Sequence, residues 1–248
     1  MAVEREQWNR LYRRAADRLD RPPAEVESVP LPADWGVLPD EEWRAQAFLA
    51  DALSASRAWL DLGCGTGSVL AAFLTRHPHA SGVGLDASDV AVAFGRRRSD
   101  EHADLKGRLR LEQGDLRRPS ALVTGRHDLV YALFSLQFLR LGEFFDLLED
   151  VRDNLLEPGG RFAATVRSVS RSVPESYRPV AGEANTYVSH EPHEAGMCYH
   201  HYALDEIERG AGILGGRIEH IHETLNERPY DPAPRRGWWS FVIRRAGD

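Results

Sequence analysis

From Trp59 to Val166, short apolar runs alternate with longer stretches whose apolar positions recur at helical spacing. Trp59–Leu62, Ser81–Asp86, Arg108–Gln113, Asp128–Phe134 and Arg161–Val166 read as strands, the third with Leu109 and Leu111 on one face. Between them, Ser68–His77 reads as a helix stopped by Pro78, Ser88 caps a helix to about Arg98, and Leu141–Leu155 carries Phe144, Leu148, Val151 and Leu155 on one stripe. From Asp128 the chain stays apolar to Phe134, as a strand covered by helices on both faces should. This alternation predicts an α/β fold, doubly wound around a mostly parallel sheet.

The flanks read differently. Trp8, Leu11, Tyr12, Ala15 and Leu19 form the apolar side of an N-terminal amphipathic helix whose other side carries Arg10, Arg14 and Arg18. Five prolines between Arg21 and Asp40 impose an irregular loop, after which Asp40 starts a second helix running to about Ser54. Residues 1–56 are therefore expected to form a helical cap with a proline-rich loop, and 57–248 the main domain. Arg167 to Tyr202 shows no periodicity but holds prolines, tyrosines and histidines, which suggests a lid insertion at about 168–201. A helix near Leu204–Leu214 and strands near Arg217–Leu225 and Trp238–Arg245 close the chain, the last with Trp239, Phe241 and Ile243 on one face.

Composition narrows the setting. A hydrophobic content of 42% over 248 residues suffices for a core, and no run of about 20 apolar residues marks a membrane span. With no apolar leader and only Cys64 and Cys198, the chain is expected to be soluble and cytoplasmic, with no membrane partner. The net charge of −7 disfavours nucleic acid. His190, His193, Cys198 and His200 match no common zinc spacing, so no metal is expected.

The candidate chemistry begins at Gly63-Cys64-Gly65-Thr66-Gly67, between a strand and a helix, where missing side chains allow a sharp turn and close approach to a ligand. In parallel sheets ligands bind outside the carboxyl ends of the strands. Asp86 lies 19 residues past Gly67 at such an end, placed to accept hydrogen bonds from both hydroxyls of a ribose. The glycine spacing departs from Gly-x-Gly-x-x-Gly because position 68 is Ser. Asp61 would repel a pyrophosphate against the loop, whereas it suits a cofactor carrying an amino group and a sulfonium.

Leu60-Asp-Leu-Gly-Cys-Gly-Thr-Gly67 resembles the first motif of the class I, Rossmann-like S-adenosylmethionine-dependent methyltransferases. Gly84-Leu-Asp86 resembles their ribose-binding acid, and Gln113-Gly-Asp115-Leu116 their adenine-flanking motif, in which the Asp commonly holds the exocyclic amine. His127-Asp-Leu-Val-Tyr131 through Leu139 resembles the fourth-strand motif beside the methyl group, and Leu156-Glu-Pro-Gly-Gly-Arg161-Phe162 the turn before the fifth strand. The resemblance spans roughly residues 58 to 167. It implies a seven-stranded sheet with the last strand antiparallel, and N-terminal helices closing over S-adenosylmethionine, which leaves as S-adenosylhomocysteine. Its cofactor residues would be Asp61, Gly63, Cys64, Gly65, Gly67, Asp86, Ala87, Gly114, Asp115, Leu116, Tyr131, Ala132 and Leu133.

Methyl transfer requires alignment of donor and acceptor more than a protein nucleophile. Near Gln137, where family members often carry a polar or histidine group, this chain supplies no base, so Gln137 would orient the acceptor at most. His200 and His201 are the candidates for a base, against a simpler reading in which they lead into the next helix. Trp8, Tyr12, Trp35, Phe134, Gln137, Tyr199 and His200 are the candidate acceptor wall. The expected activity is methylation of an oxygen or nitrogen of a small organic molecule, in bacterial specialised metabolism. Methylation of a peptide, protein or RNA, and a noncatalytic cofactor-binding scaffold, are the alternatives.

Overall fold

The computed structural model describes residues 5–10, 12–13, 47–192, 194–226 and 236–247. The proline-rich loop, Trp35, the start of the second expected helix, Leu11, Ala15, Leu19 and His193 lie outside the described residues. Residues 5–10 and 12–13 are helical, and α1 is Ala50–Ser54. The chain continues as β1 (Ala58–Leu62), α2 (Ser68–Arg76), β2 (Ser81–Asp86), α3 (Asp89–Asp100), β3 (Leu109–Gln113), β4 (His127–Leu133), α4 (Leu141–Asp150) and β5 (Leu156–Arg167). After β5 come β6 (Tyr177–Pro179), β7 (Thr186–Ser189), β8 (Cys198–His200), α5 (Leu204–Ile213), β9 (Gly216–Asn226) and β10 (Arg236–Arg245).

Seven strands form one sheet in the order β3-β2-β1-β4-β5-β10-β9. The first five are mutually parallel, and β10 runs antiparallel to both β5 and β9. Because β1 lies between β2 and β4, the strand order reverses there, and in open parallel sheets ligands bind outside the carboxyl ends of the strands at such a point.

Alternation along the central strands explains the double layer. Leu60, Leu62, Val130, Ala132, Phe162 and Val166 face a core completed by Phe144, Leu147 and Leu148 of α4 and Ile207 of α5. Trp59, Leu129, Tyr131 and Ala163 face the opposite core, with Leu70, Phe73 and Leu74 of α2. Successive strand side chains point to opposite faces, so a strand buried on both must be apolar at nearly every position. Asp61 falls on the α2 side of this pattern, next to Tyr131 across the β1–β4 pair.

Three expectations are corrected. The 168–201 segment is not irregular: β6, β7 and β8 make a separate antiparallel sheet, with Tyr177 opposite Ser189 and Thr186 opposite His200. The expected turn at Pro158-Gly159-Gly160 lies inside β5, as an irregularity in its register with β4. The α4 helix ends at Asp150 and is followed by a π-helical turn, Val151–Leu155. Among the described residues no helix is long and apolar enough to cross a membrane.

Candidate cofactor and acceptor site

The glycine loop after β1 folds back onto the end of β2. Gly63 and Cys64 donate their N–H groups to the Leu85 carbonyl at 2.7 and 3.1 Å, and Gly65 donates to Asp86 Oδ2 at 2.8 Å. Gly63 and Gly65 have φ of +82° and +57°, where a side chain is strained. A Cβ on Gly63 would collide with Ser135, and one on Gly65 would lie 2.5 Å from the Tyr12 hydroxyl. Cys64 is packed under the loop beside Gly84, and burial first, then Asp61 and Asp86, push its thiol well up. It fills space without being activated.

Asp86 is 8% exposed and accepts one bond on each oxygen, from Gly65 N–H and from Ser88 N–H at 2.8 Å. Burial raises its pKa, and these two bonds oppose the rise. Asp61, 3% exposed, is pushed up to about 8 by burial; Tyr131 opposes the shift and Asp86 adds to it. The Tyr131 hydroxyl faces Asp61 without closing a hydrogen bond of good geometry. Among the described residues, no cation is one of the groups acting on either acid. Two buried carboxyl groups without a counter-charge favour a ligand that brings positive charge, and the second lone pairs on Asp86 fit hydroxyl donors. The residues therefore suit a cationic, ribose-bearing cofactor.

Asp115 differs from the sequence expectation. Burial alone would raise its pKa, but Arg117 holds it below the usual carboxylate range. Arg117 donates its N–H and Nε to Asp115 Oδ1 at 3.0 and 2.9 Å and lies 2.8 Å from Oδ2 through Nη2. Arg117 Nη1 also donates to Glu143 at 3.1 Å. The Asp115 carboxylate is thus largely used within the protein.

A cavity of about 520 Å³ joins these groups to an apolar half. Gly63, Asp86, Ala87, Gly114, Asp115 and Leu116 line it on the cofactor side, with Leu133 at the end of β4. Trp8, Tyr12, Phe134, Phe138 and Met197 line the rest. Asp61, Cys64, Gly65, Gly67 and Tyr131 lie outside this lining, and Ala132 points into the α4-side core. Phe134 takes φ of +59°, a strained conformation for a side-chain-bearing residue, at the point where the chain leaves β4.

The N-terminal helix bridges the two sides. Ser88 Oγ, the cap of α3, donates to Asn9 Oδ1 at 2.8 Å, and Gln7 Nε2 donates to the Ala195 carbonyl at 2.8 Å. Trp8 meets the Phe138 ring edge-on with centroids 4.6 Å apart. Tyr12 covers Gly65, and burial, then Asp86, Cys64 and Asp61, keep its hydroxyl protonated.

The expected bases are placed elsewhere. His200 is fully buried with Nδ1 2.9 Å from Thr186 Oγ1 and Nε2 3.0 Å from Glu206 Oε2, so both ring nitrogens serve the β7–α5 junction. His201 is 1% exposed and held down to about 3 by burial, then by Arg167, Arg171 and His200. Neither lines the cavity. Gln137 is buried with Oε1 unpaired and also lies outside the lining, while Tyr199 stands behind Phe138 at 5.0 Å between centroids. Sequence reasoning missed Arg117, Ser135, Phe138 and Met197 on the lining, quoted Gln113 only as the start of the adenine-flanking motif, and weighed Cys198 only as a metal ligand. Phe138 and Ser135 were available as neighbours of Phe134; Met197 carried no local signal. Among the described residues no group of three His, Cys, Asp or Glu could hold a metal ion.

Comparison with known proteins agrees with this geometry. A family model described as a methyltransferase domain matches residues 60–162. A trans-aconitate 2-methyltransferase of Deinococcus radiodurans is 36% identical over 107 residues, covering 43% of this chain and 36% of that protein. A release factor glutamine methyltransferase of Caulobacter vibrioides is 45% identical over 56 residues, covering 23% and 19%. The chain thus spans about a third or less of the length of the curated relatives it matches. Among solved structures, a methyltransferase of Methanosarcina mazei aligns with a TM-score of 0.65 at 15% identity, covering 81% of this chain and 98% of that one. The magnesium protoporphyrin IX methyltransferase of Synechocystis PCC 6803, solved with S-adenosylmethionine, aligns at 0.62 and 15%, covering 99% and 96%.

Proposed function

We propose that the chain is a class I, Rossmann-like S-adenosylmethionine-dependent methyltransferase, a reading supported by the methyltransferase-domain model over residues 60–162 and by the shared fold, and that it methylates an oxygen or nitrogen of a small organic molecule. Asp86 would hold the ribose hydroxyls, Asp61 the positive end of the cofactor, and Ala87, Gly114 and Leu116 the adenine side. When bound, S-adenosylmethionine supplies a methyl group on a sulfonium. Residues 1–56 act in this reading as a cap, 57–248 as the methyltransferase domain, and about 168–201 as a lid.

The observation that carries the small-molecule reading is the apolar half of the cavity, where Trp8, Phe134, Phe138, Leu139 and Met197 meet the cofactor side. Pockets of roughly 300–1,000 Å³ with apolar walls and few polar groups are the usual form of small-molecule sites. Phe138 and Trp8 would press a flat acceptor toward Leu133, exclude water and fix its approach; alignment at about 3–3.5 Å is the main protein contribution to such a displacement. No histidine is among the described lining residues, which favours an acceptor that loses its proton to solvent, as an amine can, or is already ionised. Trans-aconitate and magnesium protoporphyrin IX, named in two of the similar proteins, are small organic molecules.

Calorimetry with S-adenosylmethionine tests the donor, and absence of binding by folded protein overturns it. Mass spectrometry of a small-molecule extract incubated with the protein and isotopically methyl-labelled cofactor tests the acceptor class. Label appearing only in protein or RNA would overturn the small-molecule assignment.

A further inference from the structure

Two buried polar atoms without partners stand together beyond the acceptor wall. Arg167 closes β5 opposite Trp238 of β10. Its guanidinium lies 3.9 Å over the Tyr199 ring and Nη1 donates to the Tyr177 hydroxyl at 3.5 Å, while the buried Nε has no hydrogen-bond partner. His201, packed 5.2 Å from the Tyr187 ring, likewise has no partner at its buried Nε2. The Arg167 carbonyl accepts the Tyr202 N–H at 2.8 Å and Ser168 bridges Tyr202, which brings His201 alongside the end of β5. The His201 ring, kept neutral first by burial and then by Arg167, can present an N–H at Nε2 in one of its two tautomers.

The surroundings add positive charge and an apolar approach. The Arg171 guanidinium lies 4.8 Å over the Trp238 ring. The nearby acids are turned to other donors: Glu194 accepts from the Tyr177 hydroxyl at 2.8 Å, and Glu223 from the Ser168 hydroxyl. Phe134 of the cavity wall meets Trp238 edge-on with centroids 5.0 Å apart, so the cluster begins one side chain past the cavity. Phe134, Val169, Val173 and Leu225 are exposed apolar side chains, and Leu225 and the Arg171 backbone both adjoin Gly237. Open N–H groups on a guanidinium and an imidazole are the donors that recognise oxyanions, and leaving both buried and unpaired is unfavourable without such a ligand.

We infer that Arg167 and His201 form a subsite for an anionic oxygen group, carboxylate or phosphate, carried by an acceptor whose apolar body lies against Phe134 and Trp238. The inference rests on the methyl-transfer reading only in calling this ligand the acceptor.

The test is calorimetric titration of the full chain, with and without S-adenosylhomocysteine, using 3-phenylpropionate, 2-phenylethyl phosphate and the neutral 3-phenylpropionamide. An anion should bind about tenfold or more tightly than the amide, as expected for charge-assisted bonds, and R167Q should abolish that preference while leaving S-adenosylhomocysteine affinity unchanged. Whichever anion binds more tightly names the group. Equal behaviour of all three probes, or a preference that survives in R167Q, overturns the subsite. If R167Q does not fold, nitrogen-15 histidine spectra of the unsubstituted protein decide: the His201 Nε2 signal should move with the anions and not the amide, and an unmoved signal overturns the proposal. Anion binding without S-adenosylhomocysteine binding would overturn the methyltransferase reading alone.

Discussion

Asp86 Oδ2 accepts the Gly65 N–H at 2.8 Å, so the acid at the end of β2 ties down the glycine loop at the end of β1. The same carboxylate holds the start of α3 through Ser88. Its role in shaping the loop precedes any role toward a ribose.

Asp86→Ala should therefore lose more than ligand contacts. With hydrogen bonds to charged groups each worth about 1.5–3 kcal/mol, S-adenosylmethionine affinity is expected to fall at least about tenfold, with lower thermal stability. Asp86→Asn can accept from only one of the two N–H groups through its single carbonyl oxygen, and should lie between Ala and the unsubstituted protein. Calorimetry and thermal melts on the two variants check the order.

Gly65→Ala combines strain at φ of +57° with a Cβ placed 2.5 Å from the Tyr12 hydroxyl. A loss of about 1–3 kcal/mol is expected from the backbone conformation alone. Adding Tyr12→Ala should recover the clash component and leave the strain. Denaturant unfolding of the single and double variants separates the two, and full recovery would contradict the strain argument.

Asp61 gives cofactor binding a pH dependence. With its pKa near 8 in the folded protein and about 4 unfolded, Asp61 binds more protons when folded. Its contribution to folding therefore declines as pH rises from about 4 to 8. A cationic ligand favours the ionised form, so binding below pH 8 releases a proton. Affinity should rise with pH by up to about tenfold per unit and level off above 8. Calorimetry in buffers of different ionisation enthalpy measures the proton, and Asp61→Asn should abolish its release.

His200→Ala should act on stability and not on proton transfer. Both ring nitrogens are engaged, by Thr186 and Glu206, and removing such a bridge leaves buried groups unpaired at a cost of about 1–3 kcal/mol. The melting temperature should fall while the pH profile of methyl transfer keeps its shape. Loss of a titration limb from that profile would restore the histidine as a base.

The central strands were legible because they are covered on both faces. Ser81–Asp86 has the bounds read from sequence, Trp59–Leu62 gains one residue at its start, and Asp128–Phe134 is shifted back by one residue. The separate three-stranded sheet was not legible. Its strands are short, one ends at Pro179, and its pairs join residues such as Tyr177 and Ser189 whose contact leaves no local period. The histidine doublet misled for a related reason: its composition suggested catalysis, but Thr186 and Glu206 claim one ring, and burial with two arginines keeps the other neutral outside the cavity.

Sequence alone determined the doubly wound sheet, the glycine loop and the acid that follows it, because local spacing and the burial of parallel strands dictate all three. Tertiary structure alone decided how those groups are used. Asp115 is clamped by Arg117, Asp61 is stripped of water beside Tyr131, and Arg167 and His201 are gathered from separate elements into one corner. Solvent exclusion and the approach of distant side chains set these properties, and neither is written in the order of residues along a single strand or helix.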